Sequence, residues 1–461
     1  MISFTLCLIA LVVGYFTYGK LVERIMQPDD RPTPVQLHAD GVDYVPLPRW
    51  KIFMIQFLNI AGIGPIFGPI LGAQYGEAAF VWIVIGCIFM GAVHDFTAAM
   101  LCLRHDGESV PETTARYLGP GMGIFMRFFS IVLLVLVTAN FVDNPAKLLD
   151  ILTGGSLGVT AWVSIVFLYY VLAALLPIDK IIGKIYPIFA VSLLFMVAGL
   201  LVVLYIKMPG REFLPELWDG LGNQHPQAAT HPMFPMLCIS IACGAISGFH
   251  STQSPIMCRC LQSERSARPV FFGAMIVEGI VALVWAAVTI WLIRAVPDMA
   301  GATPAEIVNY LCNDWLGAIG GILAVLGVIA APITSGDTAL RSARLVAADM
   351  LHLPQDKLRN RLPLSLVLYA ATFGLIIFAI TSADGFNIVW RYFSWSNQTL
   401  ATIVLWTATA YLYKRSRTPD LARRTGGRLD YLITCIPAAF MTVVCIYYII
   451  VAPEGFGSLF N

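Results

Sequence analysis

The chain has 461 residues, of which 58% are hydrophobic and only 12% are charged. An ordinary globular domain carries roughly 25% charged residues, so this composition excludes a water-soluble fold. The formal net charge of +1 argues against a nucleic-acid partner, because no excess of basic residues is present to neutralise phosphates. The ten cysteines show no CxxC spacing, so we expect neither a metal site nor another cofactor.

Long apolar stretches follow one another along the chain. A helix needs roughly 20 apolar residues to cross a bilayer core about 30 Å thick. Twelve stretches meet this requirement, and because they do not alternate with polar residues they favour helices over strands. The sequence therefore predicts an all-α, multi-pass protein surrounded by membrane lipid. The predicted spans are 2 to 19, 53 to 74, 79 to 103, 121 to 143, 156 to 177, 185 to 207, 233 to 257, 269 to 295, 317 to 341, 363 to 381, 387 to 413 and 431 to 452.

The basic residues are distributed unevenly among the loops. Of the 29 Lys and Arg residues, 24 lie in alternate loops, starting with the loop after the first span. Four lie in the intervening loops, and Arg391 alone falls inside a span. Because basic residues are retained on the cytoplasmic side, we predict a cell-membrane protein with both termini outside.

Glycine and proline interrupt the second and seventh spans. Proline removes a backbone donor and glycine weakens a helix, so we predict an unwound stretch in each span. Such backbone is tolerated in a membrane only beside protein or a watery cavity. Close helix packing through small residues, or a simple kink, would leave the same pattern. The interrupting residues are Gly62, Gly64, Pro65, Gly68 and Pro69 in the second span, and Gly244, Gly248 and Pro255 in the seventh.

Each interrupted span opens a run of five spans, residues 53 to 207 and residues 233 to 413. The charge distribution makes the first run enter from the cytoplasm and the second from outside, so the two runs are predicted to form an inverted repeat. Interrupted segments at matching places in two such repeats point to a transport site. Residues 1 to 22 and 431 to 452 are predicted to add one transmembrane helix on each side of this five-plus-five core.

Five short motifs are spread over both predicted repeats. They are residues 62 to 69, 91 to 96 (GAVHDF), 243 to 254 (CGAISGFHSTQS), 334 to 338 (TSGDT) and 397 to 401 (NQTLA). Through these motifs the chain resembles the carbon starvation protein A family from about residue 10 to residue 413. The resemblance implies the inverted-repeat fold of the amino acid, polyamine and organocation transporter superfamily. It also implies uptake of peptides or, as in close relatives, of pyruvate during nutrient shortage, driven by a cation gradient.

Small and polar residues around the two interruptions are candidates for binding a substrate. The half-helix after an interruption points free N–H groups and a positive dipole end toward the membrane midplane, which favours an anion. We therefore expect the backbone from Gly64 to Gly68 to hold a substrate carboxylate. His250 fits a packing role equally well. The predicted substrate-binding set is Gly62, Gly64, Gly68, Gly244, Ser247, His250, Ser251, Gln253, Asn397 and Gln398.

Acidic residues inside the spans are costly to bury and are candidates for coupling to an ion gradient. Asp95 lies beside His94 near the centre of the third span, where a desolvated carboxylate is predicted to take up and release a proton. A fixed hydrogen-bond network is the alternative. Glu278 has no partner evident in the sequence and is a second candidate, whereas Asp143 is expected near the outer surface, where solvation accounts for it.

The ninth span offers a different ion. In sodium-coupled relatives of the superfamily, two adjacent hydroxyl residues help to bind sodium at a place similar to Thr334 and Ser335, and oxygen ligands suit such a hard cation. Asp337 follows them, and it either contributes to that site or forms an ion pair with Arg341 one turn later. Arg391 is expected to snorkel, to pair with an acid or to contact the substrate.

The leading hypothesis is a secondary transporter, not an enzyme, for peptides first and pyruvate second, coupled to H⁺ with Na⁺ open. A membrane-embedded enzyme is the rival, in which His94, Asp95, His250 and Asp337 supply acid, base or metal ligands. No HExxH or GxSxG motif supports it. A channel is disfavoured by interrupted helices at the midplane. The order of peptide and pyruvate rests on the resemblance alone, and the sequence does not indicate an oligomeric state.

Overall fold

The structure is a computed structural model that describes residues 1 to 39, 44 to 175, 179 to 353, 358 to 382, 384 to 417, 428 to 453 and 455 to 456. These residues form twenty α-helices joined by 3-10 and π-helical turns, and they contain no strand. The predicted all-α class is confirmed. In chain order the helices are α1 (Ile2–Phe16), α2 (Tyr18–Met26), α3 (Pro34–Leu37), α4 (Arg49–Ile60), α5 (Gly64–Gly72), α6 (Ala78–Gly86), α7 (Ala92–Arg104), α8 (Val110–Leu118), α9 (Pro120–Leu152), α10 (Val159–Leu175), α11 (Asp179–Lys207), α12 (Met233–Ser240), α13 (Phe249–Cys258), α14 (Gly273–Ala295), α15 (Pro304–Tyr310), α16 (Leu316–Ala324), α17 (Ala330–Met350), α18 (Leu358–Thr381), α19 (Gly385–Ser416) and α20 (Leu432–Val451).

Many of these helices are long and apolar enough for a membrane. By length and composition, seven continuous helical segments in the described part of the chain can cross a bilayer, and the bent pair α4 and α5 makes an eighth. Each of the twelve predicted spans coincides with helical structure, α10 being a shorter apolar helix. The multi-pass character is therefore supported, while the number twelve and the five-plus-five repeat stay predictions.

The first interrupted span breaks at residues 61 to 63. Helices α4 and α5 meet there at a bend of 44°. The unwound stretch is confined to these three residues, because α5 already begins at Gly64. Pro65 occupies the first turn of α5, where a missing N–H breaks no intrahelical bond. The break is therefore shorter than the run of glycines and prolines suggests.

The second interrupted span has a longer break, over residues 241 to 248, between α12 and α13. Gly244 has a φ of +88°, and a Cβ added there would lie 2.3 Å from the Cβ of Ala282 on α14. Both the conformation and the contact require glycine at this position. Since α13 runs from Phe249 to Cys258, Pro255 lies inside a helix and not in the break.

The two interrupted spans pack directly against each other. A Cβ added to Gly64 would lie 2.3 Å from the Sγ of Cys243, and one added to Gly68 would lie 3.1 Å from the carbonyl oxygen of Ser240. The alternative interpretation of the glycines as close-packing residues is thus realised at both positions. Helix α14 passes beside the second break, and the three elements surround the buried centre of the molecule.

Candidate ion-coupling and substrate site

Four titratable side chains meet at this centre. His94 and Asp95 lie on α7, His250 lies on α13 and Glu278 lies on α14, and each is 0% exposed. Helices α7 and α14 each follow a π-helical turn, residues 87 to 91 and 268 to 272, a feature that is frequent at functional sites. These four residues are called the buried cluster below.

The buried cluster is a continuous chain of contacts. His94 Nδ1 lies 2.8 Å from Asp95 Oδ1, and His250 Nδ1 lies 2.9 Å from Asp95 Oδ2. The other ring nitrogen of His250 lies 3.3 Å from Glu278 Oε2. An ionised carboxylate only accepts hydrogen bonds, so both Nδ1 atoms donate to Asp95 when it carries its charge. Asp95 thereby links the third predicted span to the seventh.

Glu278 has partners that the sequence did not reveal. Its Oε1 accepts the backbone N–H of Gly244 at 3.0 Å, while its Oε2 faces His250. The interpretation of Glu278 as an acid without a partner is therefore wrong. Its carboxylate holds the unwound backbone of the second break, where no intrahelical carbonyl is available to Gly244.

Asn397 on α19 holds the other end of the same break. Its side-chain Oδ1 accepts the N–H of Phe249 at 2.6 Å, and its backbone oxygen accepts the N–H of Gly248 at 3.0 Å. Its Nδ2 donates to Ser247 Oγ at 2.9 Å. Backbone polar groups at membrane depth require such partners, so Asn397 explains how this irregular segment is stable there.

The remaining predicted substrate residues form hydrogen bonds within the protein. Ser251 Oγ donates to the carbonyl of Gly248 at 2.6 Å, and Gln253 Nε2 donates to Thr252 Oγ1 at 3.0 Å. Gln398 Nε2 donates to the carbonyl of Cys238. Six residues of the predicted substrate-binding set lie together around the second break: Gly64, Gly68, Gly244, Ser247, His250 and Asn397. A Cβ on Gly62 would instead meet the ring of Phe141, at 2.9 Å.

The backbone from Gly64 to Gly68 offers fewer free donors than expected. The N–H groups of Ile66 and Phe67 both donate to the carbonyl of Ile63, and Pro65 has no N–H. Only the amides at the very start of α5 are placed as an anion site requires. Carboxylate binding by this segment stays a prediction.

The hydroxyl pair of the ninth span is described only in part. The side chains of Thr334 and Asp337 lie outside the described residues, and so does the expected pairing of Asp337 with Arg341. Ser335 on α17 is 1% exposed, and its Oγ has no hydrogen-bond partner within the described parts of the chain. The sodium site stays a prediction.

Asp143 and Arg391 have clear partners. Asp143 is buried rather than solvated, and it accepts a hydrogen bond from Lys147 Nζ at 2.6 Å. The expectation that solvation accounts for Asp143 is wrong, because α9 continues beyond it to Leu152 and its side chain is buried. Arg391 Nη2 donates to Asp384 Oδ2 at 3.0 Å, so pairing with an acid is the one of its three expected roles that is observed.

Two neighbouring cavities open beyond the end of α5. Their volumes are about 270 and 350 Å³, and Leu71, Gln74 and Asn387 line both. We call them the paired cavities. Lys147 lines one of them, and Arg391 and Asp384 line the other. Each cavity therefore contains a basic side chain that is paired with an aspartate, Lys147 with Asp143 and Arg391 with Asp384.

His225, in the loop before α12, lines the cavity that contains Arg391. Burial, helped by the charges of His231 and Arg391, lowers the pKa of His225 to about 4. Its imidazole is therefore neutral at pH 7 and contributes no positive charge to the cavity. The sequence offered no signal for this residue, because it lies in a polar loop far from every motif.

Two buried side chains beside the second break were not in the predicted set. Trp82 Nε1 donates to the carbonyl of Ile241 at 2.9 Å. Cys243 Sγ lies near the buried cluster, within 4.8 Å of ligand atoms of His250 and Glu278. Sequence spacing could not reveal these contacts, because the partners come from different helices.

Comparison with models of protein families identifies the family of the chain. The model of the carbon starvation protein CstA family matches residues 1 to 156 and 146 to 314. The chain belongs to the carbon starvation protein CstA family. The predicted resemblance is therefore confirmed.

Several curated proteins are similar in sequence to this chain. An uncharacterized membrane protein of Haemophilus influenzae is 42% identical, over 62% of this chain and 89% of the relative. The peptide transporter CstA of Campylobacter jejuni is 25% identical, over 95% of this chain and 78% of the relative. The pyruvate/proton symporter BtsT of Escherichia coli is 28% identical, over 59% of this chain. The match spans only 46% of BtsT, and 56% of the Bacillus subtilis peptide transporter CstA.

Solved structures share the fold. The Eremococcus coleocola manganese transporter superposes with a TM-score of 0.60 at 14% identity, over 89% of this chain and 90% of that protein. MhsT in complex with L-phenylalanine superposes with a TM-score of 0.58 at 13% identity, over 87% of this chain and 99% of that protein. At these identities the likeness concerns the fold alone.

Proposed function

We propose that the chain is a secondary transporter that takes up small carboxylate-bearing nutrients, peptides first and pyruvate second, in symport with protons. The observation that carries the proposal is the buried cluster, which joins Asp95 to the broken backbone of the seventh span. Membership of the CstA family supports it, since named relatives are peptide transporters and a pyruvate/proton symporter. A membrane-embedded enzyme lacks comparable support.

We propose further that the core is a five-plus-five inverted repeat, residues 53 to 207 and 233 to 413, with twelve crossings and both termini outside. Two broken helices packed against each other support this arrangement, because transporter sites form where the interrupted helices of two repeats meet. The fold likeness to two transporters agrees with it.

The paired cavities are the proposed entrance from outside. Every loop that contributes to them, including those of Lys147, His225 and Asp384, falls on the side that the charge distribution assigns to the exterior. In this proposal a substrate carboxylate competes with Asp143 and Asp384 for the Lys147 ammonium and the Arg391 guanidinium. From there the substrate would reach the start of α5 and the second break.

Asp95 is the proposed proton carrier. A carboxylate at membrane depth is favoured to be neutral while the site is closed and ionised once it opens to water. Protonation therefore stabilises the closed state and deprotonation the open one, which lets a proton gradient bias the two populations. Sodium is the alternative ion, supported by the buried hydroxyl of Ser335, which has no hydrogen-bond partner among the side chains that the structure describes.

Counterflow in liposomes tests the transport activity. The purified chain is reconstituted with unlabelled dipeptide or pyruvate inside, and uptake of the labelled compound is followed. Exchange above empty liposomes is expected, because only a substrate-occupied carrier couples the two fluxes. Absence of exchange with either compound would contradict the proposed substrate class.

Imposed gradients then identify the ion. Accumulation driven by an inward pH gradient without sodium supports the proton assignment. Accumulation that requires sodium and is lost in Ser335→Ala moves the ion site to α17. Competition by a C-terminally amidated dipeptide or a pyruvate ester tests carboxylate recognition, and both are expected to compete poorly.

A further inference from the structure

We infer that Cys243, His250 and Glu278 form a binding site for a divalent transition-metal ion, with Zn²⁺ as the best match. The three residues are buried, and one ligand atom from each lies within 4.8 Å of the other two. Cys243 lies in the second break, His250 on α13 and Glu278 on α14. The inference does not depend on the proposed transport function, because it concerns binding alone.

Two of the three proposed ligand atoms are available to bind a metal ion. His250 Nε2 and Glu278 Oε2 are both fully buried, and neither has a hydrogen-bond partner among the residues that the structure describes. They face each other across 3.3 Å. Buried polar atoms are normally hydrogen-bonded, and a metal ion bound between these two atoms would satisfy both of them in place of their mutual contact.

The surroundings hold the ligands in place. His250 Nδ1 is engaged by Asp95 Oδ2 at 2.9 Å, which directs the lone pair of Nε2 toward Glu278. A carboxylate behind a histidine ligand is a recurrent arrangement in metal sites, because it fixes the tautomer and strengthens the ligand. Glu278 is in turn fixed by the N–H of Gly244 through its other oxygen. Asp95 therefore acts as the positioning group of the site.

The donor set selects the class of metal. One thiolate, one imidazole and one carboxylate match Zn²⁺ and similar transition ions, whereas Na⁺ and Mg²⁺ prefer oxygen ligands. Three protein ligands leave one coordination position open. That position lies in the same part of the molecule as the two breaks, so a small ligand with an oxygen donor could complete the coordination.

Cobalt provides a direct probe. The full-length protein is purified in detergent, stripped with a chelator and titrated with Co²⁺, which reports thiolate ligation by a near-ultraviolet charge-transfer band. One equivalent is expected to bind wild type, and Zn²⁺ is expected to displace it. Cys243→Ser is expected to lose the band, while Cys312→Ser, which alters a buried cysteine on another element, is expected to keep it.

A second variant distinguishes the loss of a metal ligand from misfolding of the protein. Glu278→Gln keeps the size of the side chain and is expected to weaken Co²⁺ binding at least about tenfold. Zn²⁺ is expected to raise the thermal midpoint of wild type and Cys312→Ser, but not of Cys243→Ser, because an ion that binds only the folded state stabilises it. Absence of stoichiometric Co²⁺ binding in wild type would overturn the inference. So would an unchanged band in Cys243→Ser or unchanged affinity in Glu278→Gln.

Discussion

The two breaks differ in length and in chemistry. The first spans residues 61 to 63, consists of small and apolar residues, and is closed by helical turns at both ends. The second spans residues 241 to 248; Trp82 donates a hydrogen bond to its backbone, Glu278 accepts one from it, and Asn397 accepts one from Gly248 and donates one to Ser247. Two segments that look alike in glycine and proline content are therefore stabilised in different ways.

The difference follows from the membrane environment. A three-residue break leaves few backbone groups without helical partners, whereas an eight-residue break must obtain partners from other helices. Those partners are polar side chains at membrane depth, and one of them, Glu278, belongs to the buried cluster. The first break thus contributes shape, and the second contributes the polar groups.

The largest effect is expected at Asp95. Asp95→Asn keeps the size of the side chain but removes its charge and its titration. We expect it to abolish accumulation under a pH gradient while exchange of labelled substrate continues, because binding and isomerisation remain possible. The measurement is uptake in liposomes, with and without the gradient.

Asp143→Asn is the matched control for Asp95→Asn. It also changes a buried aspartate with a nearby basic partner, Lys147, but it lies outside the buried cluster. Accumulation is expected to persist in this variant. Normal accumulation in Asp95→Asn would contradict the proton assignment.

The next effect concerns the support of the second break. Asn397→Ala removes the acceptor of the Phe249 N–H and the donor to Ser247, and we expect a loss of roughly 1–3 kcal/mol of stability for each buried group left unpaired. Gln398→Ala, at the neighbouring position, removes a single bond to Cys238. The thermal unfolding midpoint in detergent is expected to fall more for Asn397→Ala. Equal midpoints would show that the second break does not depend on Asn397.

A smaller effect is expected where the breaks touch. Gly64→Ala places a methyl group 2.3 Å from Cys243 Sγ, so the two broken helices must separate and uptake should fall. Cys243→Gly removes the obstructing side chain, and the double variant Gly64→Ala with Cys243→Gly is expected to recover part of the uptake. If the double variant is no better than Gly64→Ala alone, the contact between the breaks is not what limits transport.

The smallest effect is expected at His225. Its folded pKa of about 4 lies below the usual 6.5, so the unfolded chain binds the proton more readily and stability falls as the pH drops from about 6.5 toward 4. His225→Gln is expected to reduce this loss of thermal stability at low pH. Uptake at about pH 7 to 8 should match wild type, because the imidazole is already neutral there. A changed uptake at pH 7 to 8 would show that His225 takes part in transport.

Local sequence predicted the elements better than the contacts between them. The apolar stretches and the two interrupted spans were evident, and the contact between His94 and Asp95 follows from their adjacency. The bond from Asp95 to His250 joins residues 155 positions apart, and the bond from Gly244 to Glu278 depends on how α14 packs against the break. No spacing rule reports such tertiary contacts.

The break positions show a different limit. Pro65 and Pro69 suggested unwinding, but Pro65 lies in the first turn of α5, where proline is compatible with a helix, and α5 also contains Pro69 in its interior, so the structure unwinds before both. The cysteine pattern has a related limit. Metal spacing rules describe ligands close in sequence, whereas Cys243, His250 and Glu278 are brought together by folding.

Helix α5 meets α4 at a bend of 44°, so a rotation at the bend would move the whole of α5. Its nine residues extend about 13 Å from the bend, so a rotation of roughly 10° there would move the far end by about 2 Å. Leu71 lies near that end and lines both of the paired cavities. A small change of the angle between α4 and α5, made at residues 61 to 63, would therefore widen or narrow both of the paired cavities at once while α4 stays in place.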